Sequence, residues 1–176
     1  MQTVPERLVA FLPNLRRFAI SICHSRELAD DLVQTACERA ILAADSFVPG
    51  SRFDAWMFRI LRNLWIDQLR RQKTAGPHDE LEEARDVSVP SGEAASLARM
   101  DLLEVTAALH KLPDEQREVL VLVCVEELSY RDAAEVLSIP IGTVMSRLAR
   151  ARKNLAEMTG ISFGEKRSSD TKRGVA

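Results

Sequence analysis

The sequence of 176 residues is poor in aromatic residues, which make up 5%, and contains only seven glycines and seven prolines. These low contents exclude collagen-like and low-complexity chains, while 46% hydrophobic residues suffice for a packed core. No stretch approaches the roughly 18–20 consecutive apolar residues of a membrane span. The first residues also lack the basic start and the small-residue cleavage site of a signal peptide. We therefore expect a helix-rich, cytoplasmic protein that does not insert into a membrane.

Cysteine is scarce as well, since the chain has only Cys23, Cys37 and Cys124. An odd number of widely spaced cysteines in apolar surroundings favours buried free thiols over a disulfide framework. Cys23 precedes a histidine, but no second closely spaced Cys or His pair completes a metal site. We predict no metal and no cofactor.

Catalytic patterns are missing too. The sequence has no Ser/His/Asp arrangement and no glycine-rich phosphate loop. Two pairs of adjacent acids, at 30–31 and 126–127, would diverge by about 100° on a helix and cannot share a substrate. We predict that the protein is not an enzyme.

The chain has no large excess of either positive or negative charge, since its formal net charge is −2. The near-neutral total hides an uneven distribution. Residues 74–96 contain six acidic side chains and one basic side chain, together with two prolines and few large apolar groups. This composition is typical of a flexible linker, and a basic excess precedes it in residues 1–73.

Helical periodicity dominates on both sides of this linker. Before it, apolar residues recur at spacings of three and four, with Pro13 as a predicted kink or break and Ser25 as a predicted N-cap. Another helix is predicted between the turn-rich residues 45–52 and Gly76, with Trp56 and Trp65 on its core side. After the linker, helices are predicted from Leu97 onward. The fold class is all-α, with two small helical domains joined by the flexible acidic linker.

A helix-turn-helix is predicted in residues 129–155. Ser129 can cap a short helix with Asp132 in a capping box, and residues 138–142 make the sharp connection. The next helix has four basic residues and no acidic one between 141 and 155. Its predicted exposed side chains include Thr143, Met145, Ser146, Arg147, Arg150, Arg152 and Lys153. Small polar groups followed by arginines suit a major groove and its flanking phosphates, which predicts DNA binding.

Three blocks of the sequence resemble the extracytoplasmic-function (ECF) group of the sigma-70 family. They are ADDLVQTACERA (29–40), FDAWMFRILRNLWIDQLRR (53–71) and LPDEQREVLVLVCVEELSYRDAAEVLSIPIGTVMSRLARARKNL (112–155). The resemblance implies region 2 in residues 1–73, a linker in 74–96, region 4 in 97–159 and a flexible basic tail in 160–176. It also implies a stress-responsive promoter-specificity factor for RNA polymerase, controlled by an anti-sigma factor.

The resemblance also implies the roles of individual residues. Asp30, Asp31 and Gln34 would contact the β′ clamp helices of the polymerase, and region 4 would meet its β flap. The residues expected to contact the −10 element are Phe47, Arg59, Arg62 and Asn63. Those expected to contact the −35 element are Thr143, Ser146, Arg147, Arg150, Arg152 and Lys153. Met145 and Ala149 depart from the side chains common in the family, so the promoter sequence does not carry over.

Two other functions fit parts of the sequence. A helix-turn-helix regulator that never docks on polymerase would explain residues 129–155 but not 29–71. A sigma-like decoy that sequesters an anti-sigma factor would explain all three blocks. The intact basic face of the last helix favours a DNA-binding sigma factor over the decoy.

Overall fold

The computed structural model describes residues 3–48, 50–74 and 96–160. The regular structure of these residues is entirely helical, as the sequence predicted. The elements are α1 (Val4–Cys23), α2 (Arg26–Leu42), a 3₁₀ turn (Ala44–Ser46), α3 (Phe53–Thr74), α4 (Ser96–Lys111), α5 (Asp114–Leu120), a π-helical turn (Val121–Val125), α6 (Tyr130–Leu137) and α7 (Ile141–Thr159). Residues 75–95 of the predicted linker and 161–176 of the predicted tail lie outside the described residues.

Helices α1, α2 and α3 pack together into the first module. Ser25 caps α2 as predicted, because its hydroxyl accepts a hydrogen bond from the Leu28 amide at 3.3 Å. Pro13, in contrast, lies inside an unbroken α1, so the predicted break at this position is wrong. The core of the module is formed by the fully buried residues Leu15, Phe18, Met57, Phe58 and Leu61.

Two apolar residues and two tryptophans define the edge of that core. Leu12 of α1 and Ile41 of α2 fit the apolar spacing of three and four along their helices, yet both are exposed. Trp56 and Trp65 are partly buried and pack against the core, as their spacing predicted. Apolar periodicity therefore identified the side of each helix that faces the core. It did not identify where the buried part of that side ends.

Helices α4 to α7 form the second module. Ser129 caps α6 by accepting from the Asp132 amide at 3.1 Å, and its hydroxyl donates to the Asp132 carboxylate at 2.6 Å. The carboxylate thus meets the Ser129 hydroxyl instead of the backbone amide of a capping box. Ser138 ends α6 in the left-handed region, with φ 53°, and this sharp turn directs the chain into α7. The core includes Leu122, Leu137, Leu148 and Leu155.

The two modules pack against each other in this structure. α1 contacts α5 and the π-helical turn, and α3 contacts α6. Arg117 of α5 lies at this junction with only 1% of its surface exposed. Its guanidinium donates to the Leu112 carbonyl in its own module and to the Ser21 carbonyl of α1, and it also contacts His24. Since arginine has no acceptor, His24 accepts through Nε2.

Acidic side chains of the second module meet basic and amide side chains of the first. Glu126 accepts from Asn14 and from Arg17, each at 2.7 Å, and its side chain is only 1% exposed. Glu118 pairs with Arg62 at 3.1 Å, and both side chains are nearly buried. Nothing in the residue pattern predicted this junction, because its partners lie 56 or more positions apart in the sequence.

The cysteines differ in exposure. Cys23 is buried, Cys37 is half-buried and Cys124 is exposed, so the predicted burial is wrong for Cys124. Burial raises the pKa of the Cys23 and Cys37 thiols. The described part of the chain holds no group of side chains suited to a metal ion and no helix long and apolar enough to span a membrane.

We expect Arg117→Ala to lower the free energy of unfolding by about 3 kcal/mol, because buried carbonyl oxygens lose their donor. Chemical denaturation followed by circular dichroism measures the change. Arg131→Ala is the matched control: Arg131 is 85% exposed, and its loss should cost no more than about 0.5 kcal/mol. Equal effects of the two substitutions would contradict the role of Arg117 at the junction.

The Glu118–Arg62 pair predicts a pH dependence. Burial raises the pKa of Glu118, and the opposing attraction of Arg62 does not restore it. The folded state therefore holds this proton more tightly than the unfolded chain, so the contribution of Glu118 to stability declines as pH rises from about 4.3 towards neutrality.

We expect the free energy of unfolding of the native chain, relative to that of Glu118→Gln, to fall across this pH range, since glutamine does not titrate. Denaturation of both proteins at several pH values measures the difference. A difference that rises with pH would show that Arg62 outweighs burial.

Candidate nucleic-acid and polymerase interfaces

The exposed side of α2 carries the residues predicted to dock on polymerase. Asp30, Asp31 and Gln34 are all exposed on this helix, and we call them the docking face. Asp30 is held by Arg16 of α1, whose Nε and Nη2 donate to its two carboxylate oxygens at 2.7 and 2.9 Å. The structure thus brings the three residues together as predicted and fixes the orientation of Asp30.

Phe47 belongs to an aromatic cluster at the start of α3. Its ring lies 5.7 Å from that of Phe53 and 5.1 Å from that of Trp56, with tilted or edge-on geometry. The guanidinium of Arg7 lies 5.3 Å from the Phe47 ring centroid, within the range of a cation–π contact. Phe47 is half-buried, so in this arrangement it supports the loop between the 3₁₀ turn and α3.

The other residues predicted to contact the −10 element lie along α3. Arg59 and Asn63 are exposed, whereas only 14% of the Arg62 side chain is exposed because it pairs with Glu118. Arg59 lines a cavity of about 370 Å³ between α3 and α6, whose other side includes Asp132 and Glu135. The arginines are thus brought together, but they face acidic side chains of the second module.

Arg52 is a basic residue at this surface that the sequence analysis did not single out. It donates to Asp132 at 2.7 Å and also pairs with Asp54. Burial acts to raise the pKa of Asp54, but the hydrogen bond from Arg52 prevails and the pKa lies below its usual range. The sequence signal that could have identified Arg52 is its position directly before α3, the helix that carries two arginines already predicted to bind DNA. We call Arg52, Arg59 and Arg62 the arginine face.

The predicted recognition helix is α7, which packs against α4, α5 and α6. Ser146, Arg150 and Lys153 are exposed on its outer side, as predicted. Thr143 and Arg147 lie on one flank, where Arg147 is 19% exposed and pairs with Glu115 at 2.8 Å. Helical geometry places Arg152 on the opposite flank, and its guanidinium lies 3.6 Å from the Cys124 sulfur.

Apolar side chains share the exposed part of this helix. Ile141 is 49% exposed and Met145 is 52% exposed, one turn apart near the N-terminal end. Ala149 continues this row and is exposed as well. Such side chains can contact the methyl group of thymine in a major groove, so the face combines arginines with apolar groups.

Comparison with known proteins identifies both modules. The family model for Sigma-70 region 2 matches residues 8–75, and that for Sigma-70 region 4 matches residues 102–155. The ECF RNA polymerase sigma factor EcfG of Rhodopseudomonas palustris is 39% identical over 91% of this chain and 87% of its own length. The ECF sigma factor SigW of Bacillus subtilis is 34% identical over 72% of this chain and 73% of its own.

A solved structure agrees with these relatives. The sigma factor RpoE of Bartonella quintana, in complex with the anti-sigma factor NepR, matches with a TM-score of 0.74 and 36% identity, over 89% of this chain and 96% of that one. Region 2 precedes region 4 in this chain, and a sigma factor of 39% identity matches 91% of it. The chain belongs to the ECF group of the sigma-70 family.

Proposed function

We propose that the protein binds core RNA polymerase and directs transcription to a specific set of promoters. The single observation that carries this proposal is the presence of two complementary surfaces in one chain. Region 2 presents the docking face and the arginine face, and region 4 presents the basic outer side of α7. A DNA-binding regulator without polymerase would have no need of the docking face.

We propose a separate role for each of the two modules. Residues 1–73 dock on polymerase and contact the −10 element, and residues 97–159 contact the −35 element, with 74–96 as the linker and 160–176 as the tail. Asp30, Asp31 and Gln34 would meet the β′ clamp helices, and region 4 would also meet the β flap. A carboxylate pair next to an amide suits a basic helical surface by charge complementarity.

DNA contacts are proposed for two sets of residues. At the −10 element, the cations Arg59 and Arg62 would hold the strand backbone next to Asn63, and Phe47 would help to hold an unstacked base. At the −35 element, Thr143, Ser146, Arg147 and Arg150 would read base edges, and Arg152 and Lys153 would contact phosphates.

Control by an anti-sigma factor is part of the proposal, as is a role in a stress response. Support comes from relatives solved with such partners, namely RpoE with NepR and CnrH with the cytosolic domain of CnrY. CnrH is 28% identical to this chain, with a TM-score of 0.61 over 88% of it. An anti-sigma factor would act on this chain in the cell interior by covering surfaces that polymerase and DNA need.

The central test reconstitutes the protein with core polymerase and maps transcription starts across the genome of its host. The proposal requires starts that core polymerase alone does not produce, together with a stoichiometric complex on gel filtration. A complex without new starts would favour a decoy, and DNA binding without a complex would favour a regulator that does not dock.

We expect Asp31→Lys to weaken the complex with core polymerase by at least tenfold, because a cation would face the basic clamp helices. Asp31 is exposed on α2. Fluorescence anisotropy of labelled protein titrated with core polymerase measures the affinity. Glu157→Lys is the control, because it makes the same charge change on an exposed residue of α7. Equal losses of polymerase affinity in the two variants would contradict the role of Asp31.

We expect Arg150→Ala to cost about 1–3 kcal/mol of affinity for promoter DNA, if Arg150 pairs bidentately with a base. Its side chain is exposed on the outer side of α7, where a major groove would be reached. Mobility shifts of holoenzyme on a mapped promoter and on a scrambled −35 element measure the loss. An equal loss on both DNAs would show that Arg150 contacts only the backbone.

A further inference from the structure

The basic residues of α7 are not equally available to a ligand. Arg147 is only 19% exposed and pairs with a glutamate of α5, and the guanidinium of Arg152 lies against the π-helical turn. Both arginines are therefore engaged by their own domain. Within residues 141–155, the basic side chains that are exposed are those of Arg150 and Lys153.

The N-terminal part of α7 presents an apolar surface instead. Ile141 is 49% exposed and Met145 is 52% exposed, and they lie one turn apart along the same side of the helix. We call these two residues the apolar margin. Residues 141–146 include no charged side chain. Since the N-terminal residues of a recognition helix are the ones that contact base edges, the apolar margin lies where base edges would be reached.

Small residues separate the apolar margin from the exposed cations. Gly142, Ser146 and Ala149 are exposed in the middle of the outer side of α7. Helical geometry puts Met145 and Arg150 at its two edges, about 140° apart around the axis. A Cβ atom added to Gly142 would have no packed neighbour within 4 Å, so the fold does not require glycine there. The middle of this surface is therefore low enough for a groove floor to approach, with longer side chains on both edges.

The edges of the bases differ in what they offer to such side chains. Guanine presents two acceptors in the major groove, which an arginine such as Arg150 can meet with two donors. Methionine has no donor, so Met145 would leave these acceptors without a hydrogen bond. The C5 methyl group of thymine is apolar, and its burial against methionine is favourable. The apolar margin thus complements thymine and disfavours guanine.

An exposed apolar patch also suits a second protein, but the charge around this one favours DNA. Residues 141–155 include no acidic side chain, and Arg150 and Lys153 are exposed on the same side of the helix as the margin. A duplex carries phosphates along both edges of its major groove, and these cations would meet them. Charge complementarity therefore selects duplex DNA as the occupant.

We propose that Met145, with Ile141 beside it, is a specificity-determining residue that reads the methyl group of a thymine in the −35 element. This inference rests on the proposed function, in which α7 enters the DNA at that element. Met145 and Arg150 are five residues apart, which is about 7.5 Å along the helix axis and equals about two base-pair steps. The −35 element must then contain a thymine, on either strand, about two steps from the base pair that Arg150 reaches.

The test compares thymine with uracil, which keeps the hydrogen-bonding groups of thymine and lacks only its methyl group. The full chain bound to core polymerase selects its DNA from a random duplex library, and each thymine of the −35 element is then replaced by uracil in turn. We expect one replacement to weaken binding by about fourfold in mobility shifts, the magnitude of one buried methyl group. A −35 element without thymine, or one in which uracil has no effect at any position, would overturn the proposal.

The variant Met145→Ala assigns the methyl contact to this side chain. We expect it to bind the thymine duplex about fivefold more weakly than the native chain and to be insensitive to uracil at the critical position, because both changes remove the same contact. Native DNA affinity with a full uracil effect in this variant would overturn the proposal and favour a protein partner for the apolar margin.

Met158→Ala is the matched control on the same helix. Met158 is 38% exposed in the last turn of α7, about 20 Å along the axis from Met145. This variant should keep both the native affinity and the native uracil effect. Equal losses in the two alanine variants would show a general effect on the helix and would overturn the assignment to Met145.

A third variant tests whether the preference can be changed. Met145→Arg supplies two donors at the same place, so we expect it to prefer guanine to thymine at the critical position by at least tenfold, opposite to the native chain. Circular dichroism should show unchanged helical content and melting temperature, because the replaced side chain is exposed. A folded arginine variant that retains the preference for thymine would overturn the proposal.

Failure of this inference and failure of the proposed function give different results. If the holoenzyme starts transcription at specific promoters but uracil has no effect, only the role of Met145 is wrong. If the chain neither binds core polymerase nor produces new starts, the full chain alone selects the DNA. A uracil effect that disappears in Met145→Ala would then support the reading of thymine while the polymerase-directed function is wrong.

Discussion

The arrangement of the two modules depends on the requirement that a buried charge be fully hydrogen-bonded. Arg117 lies almost without solvent contact between the modules, and its donors reach backbone carbonyls on both sides. A buried guanidinium that lost these acceptors would leave both the cation and the carbonyls unsatisfied, which costs several kcal/mol. Glu126 obeys the same requirement through Asn14 and Arg17. These groups specify one orientation of region 4 on region 2, whereas apolar contacts alone would tolerate several.

That orientation connects the fold with the proposed function. Region 4 contributes a basic outer side on α7 and acidic residues on α5 and α6, so that one small domain presents opposite charges in two directions. The acidic residues meet the arginine face of region 2, whereas Arg150 and Lys153 on the basic side are exposed. A net charge of −2 over the whole chain is therefore compatible with DNA binding, because acids and bases are sorted onto different surfaces.

Two of the ion pairs between the modules are individually weak. Arg52 remains 45% exposed in its pair with Asp132, and exposed pairs contribute about 1 kcal/mol or less. The more buried pair of Glu118 and Arg62 gains attraction but loses hydration, and the raised pKa of Glu118 shows that the loss prevails for this carboxylate. These two ion pairs therefore contribute less to the junction than the fully hydrogen-bonded groups of Arg117 and Glu126.

The sequence by itself determined the helices, their caps and the family, because these depend on residues close together in the chain. The Ser25 and Ser129 caps, the core positions of Trp56 and Trp65 and the exposed face of α7 all follow from local spacing. Only the tertiary structure decided which charged residues pair. Arg62 and Glu118 are 56 positions apart and Arg117 and His24 are 93 apart, and no helical period relates them. Local patterns fix the direction of each side chain on its helix, but the partner depends on how whole helices pack.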